Sequence, residues 1–159
     1  MPNYVYLSQE GYNKLKQKLD ELKQVKRPEI AQKISEARDF GDLKENAEYH
    51  AAKEAQTVLE AKINQLEKTM NRAKVLTKND MVNDKVTILS WVKIKDINRD
   101  IDMQYILVSP EESDFQQNKI SITSPVGKAL LGKKIGDIVE IKVPAGILKY
   151  QITDLKLSI

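Results

Sequence analysis

An α+β chain is predicted, in which a long antiparallel helical hairpin precedes a small antiparallel β-sheet domain carrying one short helix. Three observations predict it. Apolar residues recur in steps of three and four as far as Ala73, and from about Val82 the period falls toward two in β-branched runs. Between the two helical stretches stands a short break at Phe40-Gly41, too short for any pairing but an antiparallel one.

In the first helix, Tyr12, Leu15, Leu19 and Leu22 set the stripe, and Ile30, Ile34 and Ala37 resume it after Pro28. The spacing predicts one helix from about Ser8 to Arg38, capped imperfectly by Ser8 and kinked or broken at the proline. After Gly41, Ala51, Ala55, Leu59, Ile63, Leu66, Met70 and Ala73 read as a narrow coiled-coil seam, small near the turn and larger away from it. Two helices of roughly 30 residues at 1.5 Å each make a slender rod of about 45 Å.

In the second half the expected strands are Val86 to Ile88, Val92 to Ile94, Tyr105 to Val108, Lys119 to Ile122, Ile138 to Val143 and Tyr150 to Leu155. Ser124 to Gly132 reads as a short helix, with Ser124 as cap, Pro125 at the first position and Gly132 as stop. The domain reading is a hairpin over 1–76 with an acidic tip at about 38–46, a linker over 77–83, and a sheet domain over 84–159.

The 159 residues carry 26 Lys+Arg against 23 Asp+Glu, a net charge of +3, which permits a nucleic-acid partner without requiring one. Without cysteine there is neither a disulfide nor a thiolate metal site, and one histidine, His50, cannot build a multi-histidine zinc site. No run approaches the ~18 apolar residues of a membrane span, and the N-terminus has no apolar signal region, so a soluble cytoplasmic chain is expected.

The chemistry of interest lies in Asp39-Phe40-Gly41-Asp42-Leu43-Lys44-Glu45-Asn46-Ala47-Glu48, four carboxylates against one lysine on an otherwise basic hairpin. Asp42 and Glu45, three apart at the expected start of the second helix, can converge on one face, and paired carboxylates suit a hard cation such as Mg²⁺. The same spacing suits a capping box, with Asp42 accepting from the Glu45 backbone. The two readings compete for the same oxygens.

The string from Ala37 to Glu54 closely resembles the tip motif of the bacterial Gre transcript-cleavage factors, GreA type. The likeness continues through Leu7-Ser8-Gln9-Glu10-Gly11-Tyr12, Arg27-Pro28-Glu29-Ile30, Ser124-Pro125-Val126-Gly127-Lys128-Ala129-Leu130 and Val143-Pro144-Ala145-Gly146, in order along nearly the whole chain. The resemblance implies a coiled-coil hairpin joined to an FKBP-like domain that docks at the rim of the bacterial RNA polymerase secondary channel. It further implies a monomer when free that stimulates the polymerase's own cleavage of backtracked RNA and has no catalytic site of its own.

On that resemblance Asp42 and Glu45 are donated to the polymerase active centre, where they share Mg²⁺ and position a water. Arg38, Asn46, Lys14, Lys18, Lys26 and Arg27 are candidate contacts to the nascent RNA 3′ end. Ser124, Pro125, Val126, Gly127 and Lys128 are candidates for polymerase docking. Phe40 stands where the family often has histidine. The competing readings are a channel-binding inhibitor of polymerase and, from a different class, a coiled-coil dimerisation or chaperone module with an FKBP-like domain.

Overall fold

The computed structural model describes residues 3–41, 45–81 and 84–158. The chain divides into two compact units, one spanning Tyr12–Ala73 and the other joining Tyr4–Gly11 to the segment from Lys74 onward.

The first unit is the helical hairpin. Helix α1 (Gln9–Glu21) runs into a five-residue π turn (Leu22–Lys26) and then α2 (Arg27–Arg38), while α3 (Ala47–Arg72) returns antiparallel to them. The expected kink or break at Pro28 is replaced by this π turn, with Lys26 and Arg27 both in right-handed helical conformation. The Arg27 N–H donates to the Leu22 carbonyl, five residues back, and Pro28, which has no N–H, enters α2 within its first turn.

Ile34, Ala37, Leu59 and Ile63 are buried in the seam, flanked by half-buried Leu15, Leu19, Leu22, Ile30 and Leu66, and Thr69 is buried farther along α3. Ala51 and Ala55, expected in the seam, are exposed, and Ala52 and Gln56 are half-buried instead. The reason is helical geometry. Three successive steps of four, from Ile63 back to Ala51, each drift roughly 40° around a helix of 3.6 residues per turn. Alternating steps through Leu59, Gln56 and Ala52 stay on one face.

In the second unit, β1 (Val5–Leu7) and β2 (Ala73–Val75) form a two-stranded sheet that the hydrophobic pattern did not announce. Ser8 follows β1 and caps α1, accepting from the Gly11 N–H at 3.0 Å. Its hydroxyl donates to the Glu112 carboxylate, to which its own backbone N–H also donates at 3.2 Å. Gly11 leaves room for that carboxylate: a Cβ there would stand 2.4 Å from Glu112 Cδ. These bonds group residues 4–11 with the sheet unit, so its contacts begin ahead of the hairpin as well as after it.

The main sheet has the order β5-β4-β3-β7-β6, from β3 (Ser90–Asp96), β4 (Ile101–Val108), β5 (Lys119–Ser121), β6 (Ile138–Val143) and β7 (Gly146–Leu157). It is antiparallel except for β4 and β5, which run parallel. Helix α4 (Pro125–Leu130) packs on it, and Val92, Ile94, Leu107, Leu130, Val139, Ile141, Tyr150 and Ile152 form the core with Val86. Val86 to Ile88 is not a strand. Its backbone closes instead on the turn after α4, through Val86 N–H to the Lys133 carbonyl and Gly132 N–H to the Val86 carbonyl, each 2.8 Å. Positive φ at Leu89 (67°) turns the chain before β3 begins.

Candidate functional site

The hairpin tip is built by two helix ends that share a single side chain. Helix α2 stops at Arg38, and the next amides close back in three-residue steps, Asp39 to the Glu36 carbonyl and Phe40 to the Ala37 carbonyl, each at 3.2 Å. Asn46 then caps α3: its Oδ1 accepts from the Tyr49 N–H at 2.9 Å, satisfying a backbone donor that the first turn leaves open. Its Nδ2 donates to the Ala37 carbonyl at 2.5 Å, tying the start of one helix to the end of the other. Arg38 lies over the Tyr49 ring at 5.9 Å, and His50 meets the same ring edge-on at 5.7 Å.

Asn46 was expected to contact RNA; its amide is engaged on both sides within the hairpin. The Asn46 cap also decides the status of Asp42-x-x-Glu45 as a capping box. Helix α3 begins at Ala47, so Glu45 precedes the cap and lies in a turn, off any helical face. Asp42, and with it any distance to Glu45, lies outside the described residues. Glu45 is exposed, as are Asp39 and Glu48; Glu45 and Glu48 flank the positive N-terminal end of α3, which favours negative charge, whereas Asp39 is the C-cap of α2. Phe40 is 77% exposed.

Away from the tip, the cations of the first helical strand divide. Arg27 forms a two-pronged pair with Glu60, Nε to Oε1 at 2.7 Å and Nη2 to Oε2 at 2.8 Å, and Lys23 pairs with Glu67. The hydrogen bonds to Arg27 hold the Glu60 carboxyl below its ordinary range and raise the guanidinium above its own. Arg27 is thus a clasp between α2 and α3. Lys26 stands 3.8 Å from Glu29, and Lys14, Lys18 and Lys26 are all exposed.

The Ser124–Lys128 corner separates in the same way. Ser124 caps α4, accepting from the Gly127 N–H at 3.1 Å and donating to the Ser121 carbonyl at 2.6 Å. Gly127 is buried, and a Cβ there would stand 2.1 Å from the Ser121 carbonyl oxygen, so only glycine lets α4 approach β5 this closely. Val126 is half-buried against the core, which leaves Pro125 and Lys128 as the exposed members of the candidate docking set.

Sequence reasoning missed the cap and bridge made by Asn46, whose signal was an asparagine directly ahead of the alanine-rich helical run. It also missed the Arg38–Tyr49 contact, which has no signal in spacing because the partners belong to different helices. Among the described residues, no group of three or more His, Cys, Asp or Glu is placed to hold a metal ion, and no helix is long and apolar enough to cross a membrane.

Comparison with known proteins covers both units. The family described as "Transcription elongation factor, N-terminal" matches residues 5–75, and that described as "Transcription elongation factor, GreA/GreB, C-term" matches 81–157. The chain is similar to the transcription elongation factor GreA of Chloroherpeton thalassium, 50% identical over 158 residues, spanning 99% of this chain and 100% of the relative. It is also similar to the GreA of Flavobacterium johnsoniae, 47% identical over 155 residues and 98% of each chain. Among solved structures, the GreA factor homolog 1 (Gfh1) protein of Thermus thermophilus aligns at 28% identity over 97% of this chain and 99% of that one, with a TM-score of 0.45.

Proposed function

We propose a function from one premise: the chain belongs to the GreA/GreB transcription elongation factor family. On this reading it binds RNA polymerase, inserts the hairpin through the secondary channel, and stimulates the polymerase's own cleavage of backtracked RNA. The observation that carries the reading is the tip, where Asn46 locks two helix ends together and leaves the Glu45 carboxylate exposed in the turn just ahead of the cap.

Glu45 offers hard oxygen donors, the type Mg²⁺ accepts, and Asp42, three residues earlier in the sequence, would add its own. Too few to hold the ion firmly alone, the two would complete a shell begun by polymerase carboxylates and RNA phosphate. Bound there, Mg²⁺ would supply a Lewis acid for hydrolysis of the phosphodiester. Glu45 would also orient the attacking water by accepting its hydrogen bond. Arg38, held against Tyr49, stands at the tip with a cation suited to RNA phosphate. The exposed Pro125 and Lys128 would take part in polymerase docking. The chain so read donates parts to another active site and performs no hydrolysis by itself.

The test is a backtracked elongation complex carrying 3′-labelled RNA, mixed with the wild-type chain or with Asp42→Asn or Glu45→Gln. At limiting Mg²⁺, release of short labelled RNA by wild type alone, with binding equal for all three, supports the proposal. Cleavage retained by both variants contradicts the role of the carboxylates. Binding without release by any of them is the result expected of an inhibitor.

A further inference from the structure

The first strand of the hairpin carries a phase error that the second does not. On α3 the covered Ala52, Gln56, Leu59, Ile63, Leu66 and Met70 alternate steps of four and three, with buried Thr69 beside that line. On the opposite strand Tyr12, Leu15, Leu19 and Leu22 keep the same rhythm, which continued would next cover Lys26 and Glu29. Those two are exposed and paired with each other, whereas Ile30, Ile34 and Ala37 are covered, each one place later than the rhythm demands.

From Leu22 to Ile30 is therefore a step of eight where a heptad allows seven. Eight α-helical residues turn through about 800°, which would leave Ile30 about 80° away from the line of Leu22. A turn closed by an i→i+5 bond holds one residue more than an α-helical turn, so a single such turn takes up roughly the 100° of one extra residue and returns Ile30 to within about 20° of the line of Leu22. The π turn occupies Leu22–Lys26, the interval in which the extra residue falls.

We infer that the π turn absorbs this one-residue slip, and that it is a positioning device: it keeps Ile34 and Ala37 on α3, and so keeps the Ala37 carbonyl where Asn46 reaches it. Pro28, lacking an N–H and entering the helix just after the slip, is compatible with the π turn and does not cause it. The inference rests on the geometry of the hairpin and does not depend on the polymerase reading.

Pro28→Ala in the full chain separates the two causes. Through-hydrogen-bond scalar coupling in NMR identifies the carbonyl that the Arg27 amide uses. If the phase slip enforces the turn, the acceptor remains Leu22, five residues back. A change of acceptor to Lys23, the α-helical partner, overturns the inference. Deletion of Gln24 combined with Pro28→Ala is the complementary variant, since it removes the slip and makes Leu22 the ordinary fourth residue before Arg27. That variant is expected to melt no lower than Pro28→Ala alone and to keep the non-additivity of Arg27→Gln and Glu60→Gln, which reports the register. A lower Tm with loss of that non-additivity overturns the inference as well.

Discussion

The hairpin tip and the α4 corner of the sheet use the same local device for different ends. Each has a polar residue that caps a helix and also bonds to a second element, Asn46 to the Ala37 carbonyl and Ser124 to the Ser121 carbonyl. At the corner the cap lies beside buried Gly127 and the fully buried Leu130, so the helix is held mainly by a core that exists without it. At the tip no comparable core stands behind the cap among the described residues. Ala37 is buried, but Phe40, Ala51 and Ala55 are exposed, and the ends of α2 and α3 meet through polar contacts. A tip built this way can be narrow and can present charge, at the cost of relying on a few bonds.

The contrast implies a graded series of effects, read by Trp91 fluorescence for the sheet unit, which holds the only tryptophan, and by helical circular dichroism for the hairpin. Ile152→Ala removes a side chain with no exposed surface and should cost about 2–5 kcal/mol, lowering the Trp91 transition while leaving the helical one. Equal shifts in both signals would erase the distinction. Gly127→Ala places a methyl against a backbone oxygen and should cost on the order of 1–3 kcal/mol in the Trp91 transition. Asn46→Ala should cost about 1 kcal/mol in the helical transition alone; no measurable loss would mean that the tip does not depend on its cap.

Asp96 sharpens the sheet side of the comparison through pH. The Arg99 side chain, followed by the Arg99 and Asn98 amides, holds its carboxyl below the ordinary range against the opposing effect of desolvation. A depressed folded value means stability that is present at neutral pH and is lost as the pH falls from about 4 through that value. Asp96→Asn should therefore flatten the acid side of the Trp91 transition, measured as Tm against pH, and an unchanged acid slope would dismiss the linkage. The smallest effect expected is that of Arg27→Gln. Its pair with Glu60 is exposed, so the loss of hairpin stability should be small and should shrink further with added salt.

Much of this architecture was legible in the chain because it rests on periodicity. The two helical stripes, the antiparallel hairpin, the alternation of β3, β4, β6 and β7, and the Ser124-Pro125 helix start each leave a repeating or positional mark. What escaped depends on contacts between distant segments. Val86 to Ile88 has strand-like composition, but its backbone partners lie in the turn after α4. β1 is only three residues long, and the bond of Ser8 to Glu112 spans 104 positions. The tip lay between these cases. Its acidic character is written in Asp39, Asp42, Glu45 and Glu48, but the helix starts later than spacing suggested because Asn46 takes the open amide of the first turn.

The central claim is that the exposed tip carboxylate helps to hold Mg²⁺ in the polymerase active centre, while Asn46 only holds the tip in shape. It is tested most directly by the rate of RNA cleavage in a backtracked complex as a function of Mg²⁺ concentration, with saturating wild type, Glu45→Gln or Asn46→Ala. The account predicts that Glu45→Gln raises the Mg²⁺ needed for half-maximal rate, whereas Asn46→Ala lowers the rate without moving that midpoint. A Glu45→Gln curve that coincides with wild type in both rate and midpoint would contradict it.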